Sequence, residues 1–429
     1  MKVSFYNLGC KVNLADISRI GKQFEDEGHD IVDFENESDI VLINTCTVTH
    51  RADADCKKIV RRALRQSPEA YVGVVGCFAQ LSPDEIIKID GVDGIFGQKE
   101  KFQIPELIGD FKKQEHPRVL VGNLEDIPFH TSAVSDNTGK TRAVFKIQDG
   151  CEYNCTFCTI PAARGGFRSM DFSDIESEIK SFSDLGFREV ILSGINLGEY
   201  TSKSGEDFTD VIRYLDKLDY PLRYRISSIE PNLLKSDILD IIEKSNKFTP
   251  HFHIPLQSGS QDILMKMKRR YRVKNYKKLI LDIKERMPDT CLGADVITGF
   301  PGESDEHFAQ TFDFIDSLPI SYLHVFTYSE RKGTVAASLE KPVPHDIRKE
   351  RTKSLRELSD KKLEEFYHSQ IGKIKTVIPE SFASESGMWR GWSENYVSTI
   401  FSGDENLGHE PIKVKLIELK NEKVFSEIL

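Results

Sequence analysis

"QDGCEYNCTFCTIP", residues 148–161, places Cys151, Cys155 and Cys158 in the spacing CxxxCxxC and supplies no further cysteine or histidine nearby. Three thiolates this close can hold three irons of a [4Fe–4S] cluster and leave the fourth iron open to a substrate. They can also be three ligands of a zinc ion completed by a distant residue, for which His253 and Cys291 are the candidates. The motif directly follows the strand candidate "AVFKIQ" (143–148). If that strand opens a βα barrel, the cysteines sit at its C-terminal mouth, where such barrels place their chemistry.

Five more β-rich runs follow: "EVILSGI" (189–195), "RYRISSI" (223–229), "HFHIPLQ" (251–257), "LGADVITGF" (292–300) and "YLHVFTYS" (322–329). Amphipathic helical patterns separate them, as in "DFSDIESEIKSFSDLG" (171–186), where Ser173 and Glu176 have capping-box spacing. Six βα units predict an open, partial (β/α)6 barrel, since a closed one needs eight. The charged helical stretch "HDIRKERTKSLRELSDKKLEEFYHSQ" (345–370) follows and closes it. Beyond it, "NYVSTIF" (395–401) and "IKVKLIEL" (412–419), with glycines between them, predict a small β-barrel.

Ahead of the cysteine motif, "KVSFYNL" (2–8), "DIVLINT" (39–45) and "YVGVVG" (71–76) alternate with helices beginning near Ala15, Ala52 and Ser82. This is the pattern of a doubly wound parallel sheet. The fold class is therefore α/β, with an N-terminal domain over 1–125, a polar linker over 126–142, the barrel over 143–368 and the small β-barrel over 369–429. Cys10, Cys46 and Cys77 each fall just beyond one of the three strands, at the sheet edge where doubly wound folds collect their ligands. Three unrelated buried cysteines are the plain alternative. Cys56 shares a helical stripe with Ala52, Ile59, Val60 and Ala63, and Cys291 opens an apolar strand, so both read as core.

The bulk numbers bound the rest. A chain of 429 residues with eight cysteines, no apolar run of membrane length and no signal-peptide layout is expected to be a cytoplasmic protein with no membrane partner. A net charge of −10 gives no global attraction to nucleic acid, so a polyanion would have to meet local basic patches. Lys57, Lys58, Arg61, Arg62 and Arg65 share one face of the helix over 52–65, and "KMKRRYRVKNYKK" (266–278) interleaves cations with tyrosines. Either run can also be a solvated face. The last domain holds seven Lys or Arg against nine Asp or Glu over 371–429; its Trp389, Trp392 and Tyr396 could stack on bases or fill a core.

With Phe157 just before its third cysteine, the CxxxCxxC loop resembles that of the radical S-adenosylmethionine (SAM) superfamily. Adding "NLGCKVN" (7–13), "NTCTVT" (44–49) and "GCFAQ" (76–80), nearly the whole chain resembles the methylthiotransferase family within it, including a C-terminal TRAM-like barrel. "KIQDGC" (146–151), "RISSIEPN" (225–232), "HFHIPLQSGS" (251–260), "DVITGFPGE" (295–303) and "HVFTYSERKGT" (324–334) are similar to the type acting on N6-threonylcarbamoyladenosine in tRNA.

The resemblance implies two [4Fe–4S] clusters, held by Cys151, Cys155 and Cys158 and by Cys10, Cys46 and Cys77. One SAM would donate a methyl group to sulfur at the auxiliary cluster. A second would give the 5′-deoxyadenosyl radical that opens C2 of the adenine to methylthiolation, with electrons from a donor the sequence does not name. It nominates Gly194 and Asn196 in "SGIN", Ser228 and Glu230 in "SSIEP", Gln257 in "PLQSGS" and Arg269 in "MKRRY" as SAM contacts, each of which can also be an ordinary loop residue. The partner it implies is the anticodon loop of tRNA, where a nucleotide can be splayed out of its stack. Isopentenyl-adenosine in tRNA or an aspartate of a ribosomal protein are alternative substrates, and a zinc-dependent RNA-binding protein without catalysis is the alternative of another class. One departure stands out: relatives usually read "IPYARG" where this chain has "IPAARG" (160–165), with Ala162 in place of the aromatic.

Overall fold

The computed structural model describes residues 1–47, 50–132 and 141–429, with the backbone alone for residues 50–53. Residues 133–140 of the expected linker and the Ala52 side chain lie outside the described residues.

The N-terminal sheet has six strands, all parallel, in the order Asp30–Val32, Lys2–Asn7, Ile40–Thr45, Tyr71–Gly76, Gly94–Phe96 and Arg118–Leu120. Ile40–Thr45 and Tyr71–Gly76 are buried along their whole length, which explains why they read as unbroken apolar runs. Helix Lys11–Asp26 buries Ile17, Ile20 and Phe24 on one face of the sheet. Helix His50–Gln66 buries Cys56, Ile59, Val60 and Ala63 on the other, so Cys56 is core as expected. The strand order reverses between Lys2–Asn7 and Ile40–Thr45, a switch point whose crevice opens at the strands' carboxyl ends.

The six expected barrel strands form as two three-stranded parallel sheets, Arg142–Lys146, Glu189–Ser193 and Arg223–Ile226, then His251–His253, Cys291–Thr298 and Tyr322–Thr327. Among the described residues no ladder joins the first strand to the last, so the barrel is open. Its wall buries Phe145, Leu192, Tyr224, Phe252, Leu292 and Val296 against the surrounding helices. The capping box expected at Ser173 and Glu176 does not form. A 3-10 turn over Phe172–Asp174 moves the helix N-cap to Asp174, and Ser173 Oγ turns to the Asp174 carboxylate at 3.3 Å instead.

Helix His345–Gln370 packs along Tyr322–Thr327 and leads into a closed barrel of five strands, in the order Ile374–Ala383, Met388–Ser393, Ser398–Ser402, Lys423–Ile428 and Ile412–Lys420. The three aromatics considered as base platforms serve packing. Trp389 fills the small barrel's core, while Tyr396 lies against Trp392 at 4.5 Å and His251 at 4.3 Å between centroids. Arg223 donates to the carbonyls of Thr376 and Trp392, and Arg225 to that of Ser393, so two arginines of one barrel strand dock the C-terminal domain. No helix among the described residues is long and apolar enough to cross a membrane.

Both arginines pair with the fully buried Glu189, at 2.6 and 2.8 Å. Burial alone would raise the Glu189 pKa, but Arg225 and Arg223 outweigh it and hold it at about 2 against an ordinary 4.5. A carboxylate depressed in this way adds stability above 4.5 that is lost as pH falls towards 2. Glu189→Gln is expected to cost about 3–5 kcal/mol near neutral pH and to show a smaller loss on acidification, both measured by urea unfolding.

Candidate metal centres at the barrel mouth

Cys10, Cys46 and Cys77 follow the carboxyl ends of three neighbouring strands. Side-chain amides stitch their loops together. Asn13 Nδ2 donates to Asn44 Oδ1 at 3.1 Å and to the Thr45 carbonyl at 3.0 Å, and Asn44 Nδ2 donates back to the Asn13 carbonyl at 2.8 Å. Gly76 turns at φ +97°, and a Cβ there would stand 2.3 Å from Asn44 Oδ1, so only glycine lets the chain bring Cys77 in. Cys10 is exposed, Cys46 half-buried and Cys77 buried. Burial pushes the Cys77 thiol up, with Arg164 and Lys101 pulling the other way, and Gln98 Nε2 approaches its sulfur at 3.7 Å.

Cys151, Cys155 and Cys158 lie on the loop after the first barrel strand, all half-buried. N–H donors already point at the sulfurs: the Tyr153 amide to Cys151 at 3.3 Å, the Ile160 amide to Cys158 at 3.4 Å, and Arg269 Nη1 to Cys155 at 3.2 Å. Such donors stabilise metal-bound thiolates. Without metal, burial raises Cys151 to about 12 and Cys158 to about 11, so the free thiols are protonated at neutral pH.

The nominated SAM contacts gather at the same mouth. Gly194 runs so close to Gln148 that a Cβ would lie 2.8 Å from its Oε1, and that oxygen accepts from the Asn196 amide at 2.8 Å. Asn196 Nδ2 points to Cys151 Sγ at 4.0 Å, and Asn196 Oδ1 and Glu199 Oε2 are buried without a hydrogen-bond donor. Glu230 pairs with Arg269, the arginine that reaches Cys155, and Ser228 is half-buried two residues before it. Gln257, at φ +65°, lines a cavity of about 210 Å³ with Phe157, Cys158, Asp295, Phe326 and Tyr328. The residues fit a cluster with a chelating ligand: three thiols with N–H donors, and beside them orphaned polar atoms.

As they stand, the sulfurs of neither trio are gathered as zinc ligands are. A tetrahedral zinc with bonds of about 2.3 Å sets its sulfurs about 3.8 Å apart. Among the described residues, the group of three metal-capable side chains whose ligand atoms lie within 4.8 Å of one another is His253, Asp295 and His324, which contains no cysteine. The proposed fourth zinc ligands are also engaged elsewhere. His253 turns its ring nitrogens to Asp295 at 2.8 Å and Tyr322 at 3.4 Å, and Cys291 is buried against Phe366 and Tyr367, its thiol pushed to about 12 by burial.

A buried ionic junction ties the loops of the two trios together. Arg164, fully buried, donates from Nη1 to Asp149 at 3.0 Å and from Nη2 to Asn13 at 2.6 Å and Asp16 at 3.0 Å. Lys101 and Lys146 close on Asp16 at 2.6 and 2.5 Å, and Arg168 reaches Asp149 at 3.0 Å. Asp149 stands two residues before Cys151, while Asn13 and Asp16 stand three and six after Cys10. On the far side Arg331 donates to Thr47 Oγ1, next to Cys46. Sequence reasoning missed these residues, and it missed Glu199. Their signal was adjacency to the cysteines, which says nothing of which distant partner each meets. Ala162, the departure in "IPAARG", is exposed two residues from Arg164.

Of the five cations on helix His50–Gln66, Lys58 pairs with Asp55 and Arg62 with Glu35, leaving Lys57, Arg61 and Arg65 exposed. In the run 266–278 the tyrosines are core. Tyr271 donates to the Leu256 carbonyl at 2.7 Å and Tyr276 to that of Ile254 at 2.9 Å, while Arg270, Arg272, Lys274, Lys277 and Lys278 face outward.

Comparison with known proteins agrees with this arrangement. Residues 145–315 match the radical SAM superfamily, and residues 2–97 match the uncharacterized protein family UPF0004. The solved structure of the radical SAM methyltransferase TsrM from Kitasatospora setae overlays with a TM-score of 0.57 at 16% identity, over 78% of this chain and 77% of that one, which supports the fold. The threonylcarbamoyladenosine tRNA methylthiotransferases MtaB of Bacillus subtilis and Aquifex aeolicus are 36% and 35% identical, over 97% and 95% of this chain and 94% and 98% of theirs. The tRNA-2-methylthio-N(6)-dimethylallyladenosine synthase of Fusobacterium nucleatum is 31% identical over the full length of both. The cysteine loop and open barrel are thus those of a radical SAM enzyme. With relatives of this similarity along almost its whole length, the chain belongs to the methylthiotransferase family of that superfamily, and its cofactors are SAM and two [4Fe–4S] clusters.

Arg164→Met is expected to leave Asp16 and Asp149 short of their shared cation, at a cost of about 3–5 kcal/mol. By hydrogen exchange, strand Ile40–Thr45 should lose protection in the variant while strand Cys291–Thr298 keeps it.

Proposed function

We propose that the protein methylthiolates C2 of N6-threonylcarbamoyladenosine beside the anticodon of tRNA, using two molecules of SAM and sulfur from the auxiliary cluster. The observation that carries this reading is the placement of Cys10, Cys46 and Cys77 after the carboxyl ends of three neighbouring strands and of Cys151, Cys155 and Cys158 after the first barrel strand, their loops joined by one buried junction. The relatives named for tRNA substrates support it.

In this reading Cys151, Cys155 and Cys158 hold the SAM cluster, and Cys10, Cys46 and Cys77 hold the auxiliary one. Bound there, the cofactors supply the methyl group, the sulfur and the one-electron chemistry that an unactivated purine C2–H requires and side chains lack. The chain's own part is placement. Gly194, Asn196 and Glu199 receive the SAM amino group, Ser228, Glu230 and Arg269 its carboxylate end, and Gln257 borders the cavity between cofactor and substrate. Phe326, 42% exposed on the last barrel strand, offers an apolar face to the splayed base. Lys57, Arg61 and Arg65 on one side, and Arg270, Arg272 and Lys278 on the other, meet the RNA phosphates.

Anaerobically reconstituted protein should contain about eight irons, and the triple change Cys10→Ala, Cys46→Ala, Cys77→Ala about four. Nucleoside mass spectrometry should find the methylthio product on RNA carrying threonylcarbamoyladenosine. Product only on RNA carrying isopentenyl-adenosine would overturn the substrate assignment, and one zinc without labile sulfide would overturn the chemistry. Joint replacement of Arg61 and Arg65 by alanine should weaken tRNA binding and lower its salt slope by about two.

A further inference from the structure

The second barrel sheet separates two kinds of side chain by the period-2 alternation of its strands. Phe252, Leu292, Ala294, Val296, Leu323 and Val325 pack into the core beneath the helices, so the positions between them face the barrel lumen. Those positions are His251, His253, Gly293, Asp295, Tyr322 and His324. Asp295 lies directly beside His324 in the parallel register, and His253 pairs with Gly293, two residues before Asp295 on the same face. Gly293 lets the layer close, because a Cβ there would stand 2.3 Å from Tyr322 Cζ.

Three metal-ligating side chains meet in that layer. His253 Nε2 lies 2.8 Å from Asp295 Oδ1 and His324 Nδ1 lies 3.5 Å from the same oxygen, and the three residues offer ligand atoms that all fall within 4.8 Å of one another. Bonds of about 2.0–2.2 Å to a tetrahedral ion set nitrogen and oxygen ligands about 3.4 Å apart. The two measured gaps straddle that spacing. A hydrogen bond to the carboxylate accounts for His253 alone, whereas a second imidazole at the same oxygen is what a shared cation explains. The far nitrogen of His253, Nδ1, is 3.4 Å from the Tyr322 hydroxyl, which is itself 3.0 Å from His251 Nε2. Metal-bound imidazoles are oriented by such a partner on their second nitrogen. The His253 side chain is 9% exposed and that of His324 56%, so the group is fixed at one end and open at the other. Asp295, between them, lines the 210 Å³ cavity with Cys158 and Gln257.

We propose that His253, Asp295 and His324 bind one divalent transition-metal ion, a third metal centre separate from both thiol trios. Two imidazoles and a carboxylate suit zinc and its neighbours, whereas magnesium and calcium call for oxygen ligands. Three protein ligands leave a coordination position for water or for an oxygen of a molecule bound in the cavity that Asp295 lines. The site contains no thiolate, so it does not compete for the iron and sulfide that the cysteines take up.

The test uses full-length enzyme with both clusters in place, freed of loosely held metal by brief EDTA treatment and dialysed against zinc sulfate, with zinc and iron counted together by mass spectrometry. The native enzyme should take up about one zinc per chain while its iron stays at about eight. A difference map across the zinc absorption edge should place that ion about 2.0–2.2 Å from His253 Nε2, His324 Nδ1 and an Asp295 oxygen. His324→Ala, a change at an exposed side chain, should weaken zinc binding by at least about a hundredfold, the upper end of what losing a mere outer partner costs. A native enzyme that takes up no zinc, or whose zinc uptake displaces iron from the cysteines, overturns the proposal. So does a His324→Ala enzyme that binds zinc as tightly as the native one. A zinc-edge peak away from these three side chains overturns it whether or not the variant folds.

Discussion

The Arg164 guanidinium, wedged between Asp16 of the N-terminal domain and Asp149 of the barrel, is the constraint on which the rest depends. Its carboxylate partners are carried by the same short segments as the two sets of cysteines. Fixing one ion pair therefore fixes the relation of the two thiol trios to within the stiffness of a few residues. Arginine suits this task because its planar fork serves two carboxylates and an amide oxygen at once from fixed directions.

The junction is charge-unbalanced in a way that explains its location. Among the described residues, the carboxylates that Lys101, Lys146, Arg164 and Arg168 pair with are those of Asp16 and Asp149. Burial would raise both carboxyl pKa values, but the cations win and hold them well below the ordinary range, while burial brings Lys101 down to about 8. Buried ion pairs are poor stabilisers in themselves. Surplus positive charge beside Cys77 has a use if those sulfurs become thiolates on a metal cluster, since Arg164 and Lys101 already favour the charged form of that thiol. The same cations that clamp the domains thus also favour a thiolate at Cys77.

Much of this was legible in the sequence. All six barrel strands, the three N-terminal strands and the six cysteines appear where their periodicity and position place them, because burial on both faces leaves an unmistakable apolar run and a cysteine just past it can only lie at the strand's carboxyl end. The helix start at Ser173 was misread because capping-box spacing does not reveal a 3-10 turn. Trp389 could stack on a base or fill a core, and it fills the core; an aromatic's sequence neighbours do not show which way it points. The junction was invisible for a different reason: Asp16 and Arg164 are 148 positions apart, and nothing local marks one as the other's partner.

The most direct measurement is anomalous diffraction at the iron edge from crystals of the reconstituted enzyme. Two iron peaks are expected across a shared cavity, one bonded to Cys10, Cys46 and Cys77 and the other to Cys151, Cys155 and Cys158, with the Arg164 guanidinium between their loops. A single iron peak, a zinc signal at either trio, or two peaks separated by packed protein with no lumen between them would contradict it.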